Sequence, residues 1–311
     1  LDGWFKKTVE LLKPLYEELK REVFSCDYVQ ADETTVPVIN REKHKADKEY
    51  LWMVRSVMEK LVIFHYDGGS RAGAVIESLA NHYHFKGYLQ CDGFAGYETA
   101  FKTSPNVRLL NCLVHIRRHF EQALDENREM AQHALTQIQH IYKIERQCDE
   151  AGLSYDERRQ TRQELSRPIM EAMKVWMETE GIKYSPSSLT GKAITYAYTK
   201  WDNIMRCLDD GRLYWDNNLA ENVQRPITLS RKNFLFCGNH EAAVNMSVIC
   251  SLLATCKAHD VNPRVYLNDV IAQMPYHKKA TQEELLNLLP HKWKLKHPEC
   301  VLTRQKEESC N

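Results

Sequence analysis

Apolar residues recur at helical spacing from residue 4 to 24. Phe5, Val9, Leu12, Leu15 and Leu19 fall on one face, and Pro14 is expected to kink that amphipathic helix. The period then shortens to that of strands. YVQADETTVPVI (28–39), EYLWMVRSV (49–57) and KLVIFHYD (60–67) are rich in β-branched and aromatic residues, which predicts a three-stranded meander. NREKHKADKE (40–49) reads as its charged hairpin loop. SRAGAVIESLANHYH (70–84) predicts a helix capped by Ser70. GYLQCDGFAGYE (87–98) reads as a strand running into a glycine-punctuated turn, VRLLNCLVH (107–115) as another strand, and IRRHFEQAL (116–124) as the start of a helix. Three strands followed by alternation predict an α/β fold, a mixed five-stranded sheet with flanking helices.

Residues 126–211 carry no strand signal, and their Ile, Leu, Met and Trp spacing is helical, with helices expected near 132–147, 156–181 and 189–211. They read as an all-helical insertion, a separate helical domain being the alternative. YWDNNLAENVQR (214–225) then enters a helix that Pro226 ends or kinks. EAAVNMSVICSLLATCKAHD (241–260) places Ala242, Met246, Ile249, Leu253 and Cys256 on one helical face. NPRVYLNDVIAQM (262–274) has Asn262 as N-cap and Pro263 at the first helical position. The expected organisation is an N-terminal helix (1–25), the first part of the core (26–125), the helical insertion (126–211), the second part of the core (212–275) and a loosely attached tail (276–311). Trp52, Trp176 and Trp201 are expected in the core, as are Phe94 and Tyr97 under the turn at 92–94.

Composition narrows the classes. The 311 residues hold 42 Lys+Arg and 42 Asp+Glu, with 43% hydrophobic and 27% charged residues, which excludes a disordered or polybasic chain. A neutral total still permits a local basic face for nucleic acid. No apolar run is long enough to span a bilayer, and the first residues are amphipathic rather than a signal peptide. The chain does not begin with Met and reads as a piece of a longer open reading frame. Ten Cys are scattered without a CxxC pair, as expected for reduced thiols rather than a zinc site.

Three acids stand in unusual places. Asp32 lies inside an apolar, β-branched strand, where carboxylates are depleted. Asp92 ends the strand GYLQC and precedes Gly93. Glu221 lies near a helix start, among Asn217, Asn218 and Asn222. Converging oxygen ligands favour Mg²⁺ or Mn²⁺ over zinc, and two such ions about 3.5–4 Å apart clamp the oxygens of a phosphoryl displacement. Each acid also has a plainer reading: a strand-edge residue bonded to a loop, an Asp-Gly turn, and a helix-start acid favoured by the dipole. Glu33 alternates to the opposite face from Asp32, and Asp216 reads as a helix-entry cap.

The motifs QADETTVPV (30–38), CDGFAGYE (91–98), CLVHIRRHF (112–120), DNNLAENVQRPITLSRKNFLFCG (216–238), SLLATCKAHDVNPRVYLNDVI (251–271) and LLPHKW (288–293) occur in this order. Together they make the chain resemble the catalytic region of the insertion sequence 66 family of bacterial transposases, which carry a triad of two Asp and one Glu. The resemblance covers nearly the whole chain. It implies a ribonuclease H-like fold, with the three acids at Asp32, Asp92 and Glu221, two Mg²⁺ ions with Mn²⁺ as substitute, and a cytoplasmic, DNA-associated bacterial protein. It also implies N-terminal modules upstream, a small zinc-binding element and a coiled-coil-like stretch, after which this chain starts. Two DNA ends per event imply at least a dimer in the working complex.

The segment RLLNCLVHIRRHF (108–120) contains no acid. His115, Arg117 and Arg118 read as contacts to DNA phosphates, the alternative being a helix face that makes ion pairs. Arg225 falls one turn beyond Glu221 if that helix continues, and Arg231 and Lys232 read as a phosphate-contacting loop. Asn218 and Asn222 read as caps or as partners that hold Glu221. The activity expected is metal-dependent DNA strand cleavage followed by 3′-hydroxyl strand transfer. The alternatives are a nuclease without strand transfer, a non-catalytic DNA-binding remnant of a decayed element, and a module that binds an acidic protein.

Overall fold

The computed structural model describes residues 2–277 and 279–302, the side chains of Asp2, Ser230 and Arg231 excepted. Its order is α1 (Asp2–Ser25), β1 (Tyr28–Asn40), β2 (Lys45–Ser56), β3 (Val62–His65), α2 (Ala74–His82), β4 (Gly87–Cys91), α3 (Ala95–Phe101), β5 (Val107–Asn111) and α4 (Leu113–Ala123). The helical stretch follows as α5 (Arg128–Glu150), α6 (Tyr155–Thr161), α7 (Arg167–Gly181) and α8 (Leu189–Met205). The chain ends with α9 (Asn218–Phe234), α10 (His240–Ala258), α11 (Pro263–Gln273), α12 (Gln282–Leu288) and α13 (Pro290–Lys296). The strands form one mixed sheet in the order β3-β2-β1-β4-β5 with flanking helices, a ribonuclease H-like α/β arrangement. No described helix is long and apolar enough to cross a membrane.

The chain divides into two compact units. One comprises residues 1–87, 99–107 and 218–311; the other comprises 88–98 and 108–217. The helical stretch 126–211 therefore belongs to the same unit as the Asp92 turn and α4.

In the first unit, β1, β2 and β3 form the expected antiparallel meander. The hairpin link is shorter than its charge suggests. Asn40 Oδ1 accepts from the N–H groups of Glu42 and Lys43, and pairing continues to Asn40 and Lys45. Ser70 does not cap α2: its Oγ accepts from Ala72 N at 3.0 Å in a local turn, and the helix begins at Ala74. Helix α1 runs through Pro14 and buries Val9, Leu12, Leu15 and Leu19, whereas Phe5 is exposed.

The buried face of α10 is only in part the apolar stripe that the sequence suggests: Cys256 is buried and Ala242 and Met246 pack against the core, but polar residues share the face. Ser247, Ser251 and Thr255, four residues apart, are buried. Ser251 Oγ accepts from Phe64 N at 2.8 Å and Thr255 Oγ1 accepts from Val62 N at 3.1 Å. These hydroxyls satisfy the free edge of β3, which would otherwise present unpaired backbone groups. Helix α9 likewise runs through Pro226, so residues 231–233 lie in its last turn and not in a loop. A proline inside a helix removes one hydrogen bond; here Ala220 and Ile227 hold α9 on both sides of it in a buried cluster. The tail is anchored rather than loose as far as α13. Trp293 is buried and donates to Asp269 at 2.6 Å, and Tyr266 Oη donates to Leu288 O at 3.0 Å. Asn262 caps α11 as expected, accepting from Arg264 N and Val265 N.

In the second unit, α4 starts at Leu113, earlier than expected, so Cys112 and His115 frame a helix start rather than a strand end. A π turn at Arg162–Ser166 joins α6 to α7. It buries Arg162, whose guanidinium makes two 2.7 Å bonds to Glu145 and bonds the carbonyls of Cys207 and Asp210. Trp201 and Tyr97 are fully buried, as is Trp52 in the first unit, while Trp176 is half-buried against His133.

Candidate active site

Asp32 stands on β1, opposite Met53 of β2. Strand residues two apart share a face, so Asp32 lies on the face that carries Gln30, Val36 and Val38. This face receives α9: Val36, Val38 and Met53 pack with Ala220 and Ile227. Ala220 N donates to Gln30 Oε1 at 3.1 Å, and Gln30 is fully buried. That bond places the first turn of α9, which carries Glu221, on the Asp32 side of the sheet. Arg55 Nη1 adds a second tie to Leu219 O at 3.3 Å. Asp32 and Glu221 are both half-buried, and Asp32 Oδ1 accepts from Glu33 N at 2.9 Å. Glu33 takes the opposite face, across from Trp52, where its carboxylate accepts two bonds from Arg71 at 2.9 and 2.7 Å.

Asp92 is half-buried and lies in the second unit, between β4 and α3. Its Oδ1 accepts from Phe94 N at 2.9 Å, which closes an Asx turn. Its carbonyl accepts from Asn111 Nδ2 at 2.8 Å, and Asn111 Oδ1 accepts in turn from Asn203 Nδ2 at 2.9 Å. Helix α8 thus reaches the turn through an asparagine relay. The same helix donates Lys200 Nζ to Glu98 Oε1 at 2.5 Å. It also packs Tyr196 where a side chain at position 93 would go: a Cβ on Gly93 would stand 2.0 Å from Tyr196 Oη. Burial first, then the charge of Asp92, push the Tyr196 phenol well above its ordinary range.

Carboxylate oxygens are hard donors, the kind that Mg²⁺ and Mn²⁺ prefer and zinc does not. Among the described residues no group of three or more His, Cys, Asp or Glu is arranged to hold a metal ion. Asp32 and Glu221 belong to one unit and Asp92 to the other. Asn217, the residue before α9, is buried, and among the described residues neither of its amide atoms has a hydrogen-bond partner. Buried polar groups are ordinarily paired, so this amide marks a polar place in the segment that leads to Glu221. Asn218 and Asn222 are exposed.

His115 and Arg118 share a face of α4 with His119 and Gln122, at spacings of three and four; Arg118 Nη1 lies 3.4 Å from His115 Nε2. Arg117 is exposed and forms a 3.0 Å pair with Glu121 on its own helix. Arg225 and Lys232 are exposed on α9, Arg225 one turn beyond Glu221. The side chain of Arg231 lies outside the described residues. Asn111, Asn203 and Tyr196 have no counterpart among the candidates read from the sequence. Only Gly93, in the CDGFAG turn, signalled that something packs closely there.

The model of the family described as "Transposase IS66 family" matches residues 1–245, and that of the "IS66 C-terminal element" matches residues 251–291. The chain is also similar to three uncharacterized proteins of Sinorhizobium fredii (strain NBRC 101917 / NGR234). It is 28% identical to y4hP over 91% of this chain and 54% of that protein. It is 28% identical to y4jD, over 94% and 58%, and 30% identical to y4qI, over 88% and 53%. The chain spans just over half the length of the curated relatives it matches.

Proposed function

The chain belongs to the IS66 family of transposases, and from that premise we propose that it is the catalytic region of an enzyme that cuts and joins DNA strands at the ends of a mobile element. Asp32, Asp92 and Glu221 form its carboxylate set and would hold two Mg²⁺ ions, or Mn²⁺ in their place. When bound, such ions balance the charge on the attacking and leaving oxygens of a phosphodiester. The protein's part is to hold its carboxylates in fixed places before reaction, because preorganised charge needs no rearrangement at the transition state. Asp32 is held by its strand, Glu221 by the first turn of α9, and Asp92 by its Asx turn and the asparagine relay. No side-chain nucleophile is needed: water cuts the strand, and the freed 3′-hydroxyl attacks target DNA. Arg118, Arg225, Arg231 and Lys232 supply positive charge to DNA phosphates, with Arg117 released from its Glu121 pair, and His115 offers a ring N–H to a phosphate oxygen. Two element ends call for at least two copies of the protein in the working complex.

The observation that supports this reading best is the Gln30–Ala220 bond, which brings the helix turn bearing Glu221 to the strand face bearing Asp32. The test is nicking of supercoiled plasmid by the purified chain with Mg²⁺. Nicking is expected, and Asp92→Asn should slow it by about a hundredfold or more. An Asp92→Asn protein that nicks at the native rate contradicts the assignment.

A further inference from the structure

We infer that a cleft of the second unit beside the Asp92 turn is a subsite for an unpaired nucleotide of the DNA strand, an inference that rests on the function proposed above. The cleft has a volume of about 610 Å³, within the range of about 300–1,000 Å³ typical of ligand sites. Gly93 forms part of its wall, so it opens one residue from Asp92. Helix α4 contributes His119 and Gln122; α8 contributes Lys192, Tyr196 and Lys200.

The rings of His119 and Tyr196 lie 4.1 Å apart at 34°, both half-exposed. They offer an aromatic platform on which any base can stack. Burial, and then the neighbouring His115, hold His119 below its ordinary range. Gln122 can both donate to and accept from a base edge. Lys192 is exposed and can meet a phosphate, whereas Lys200 is committed to Glu98. No acid lines the cleft. His115 and Arg118 lie on the same face of α4 as His119 and Gln122, so the polar stripe continues beyond the cleft. A paired base cannot settle on this platform, because its edge is occupied and its faces are stacked; an unpaired base can. Holding the nucleotide beside the scissile phosphate would fix that phosphate at Asp92.

The test uses a short single-stranded deoxyoligonucleotide carrying 2-aminopurine, and the blunt duplex of the same sequence, with the native chain in EDTA. The single strand is expected to bind more tightly than the duplex, with quenching of the 2-aminopurine as it stacks. His119→Ala should weaken strand binding by about tenfold and abolish the quench. Lys192→Glu, an exposed change that leaves folding intact, should weaken binding by about fivefold. Native protein that does not bind the strand overturns the inference. So do variants that bind and quench as the native chain does. Asp32→Asn should still bind the strand in EDTA. A chain that binds and quenches but never nicks with Mg²⁺ therefore contradicts the proposed function alone. A chain that nicks, and whose His119→Ala and Lys192→Glu variants bind normally, contradicts the subsite alone.

Discussion

Gln30 and Ala220 are joined by a 3.1 Å hydrogen bond between a buried strand side chain and the backbone of the first turn of α9. It links the strand that carries Asp32 to the turn that carries Glu221. Gln30→Met keeps the volume and removes the acceptor, leaving a buried N–H without its partner. The expected cost is about 1–3 kcal/mol in urea unfolding, with slower Mg²⁺-dependent nicking. Native stability in this variant would show that the bond does not hold α9.

Gly93 and Tyr196 occupy one space. Gly93→Ala forces the phenol or the turn to move, and should cost about 1–3 kcal/mol. In a Tyr196→Ala background the same change should cost much less. A double-mutant cycle on thermal or urea unfolding measures the difference, expected to exceed about 0.5 kcal/mol. Strictly additive effects would separate the two residues.

The hydroxyls of α10 close the edge of β3. Ser251→Ala leaves Phe64 N–H buried and unpaired, and Thr255→Val does the same to Val62 N–H. Each should cost about 1–3 kcal/mol. Amide exchange at Phe64 or Val62 should accelerate in the matching variant and not in the other.

Much of this architecture is legible in the chain because the governing signals are local. The β-branched alternation of 28–39 and the Asn262-Pro263 start of α11 each involve neighbours in sequence, and both elements form where the pattern places them. What the pattern misplaces is decided at long range. The buried stripe of α10 carries hydroxyls among its apolar residues because an edge strand needs donors and acceptors, a fact about β3 that no window on α10 contains. Pro226 reads as an end or a kink, and α9 continues through it because its flanking residues are packed in a core assembled from β1, β2 and α10. The tail reads as mixed because Trp293 and Leu288 find their partners on α11. For the candidate site, alternation alone separates Asp32 from Glu33, and the Arg71 pair bears that out. The supports of Asp92 are silent in sequence, since Asn111, Tyr196 and Asn203 are ordinary residues until folding brings them to the turn.

Burial lowers His65, His259 and His291 to about 4, assisted by Lys20 at His65, by Lys294 at His259, and by His259 and then Lys292 at His291. In the unfolded chain an imidazole titrates near 6.5. Between these values the unfolded chain binds protons that the folded chain refuses. Stability is therefore full above about pH 6.5, falls as the pH drops through the window, and stops falling on this account below about pH 4. Urea midpoints measured from pH 7.5 to 4 should show the decline, and His291→Gln should make it shallower. A midpoint constant across that range contradicts the burial of these histidines.

If Asp32, Asp92 and Glu221 together hold the two divalent cations, calorimetric titration of the chain with Mn²⁺ shows it most directly. The native chain is expected to bind Mn²⁺, and Asp32→Asn, Asp92→Asn and Glu221→Gln should each weaken binding by about tenfold or more. Native-like Mn²⁺ affinity in any one of the three folded variants would contradict it.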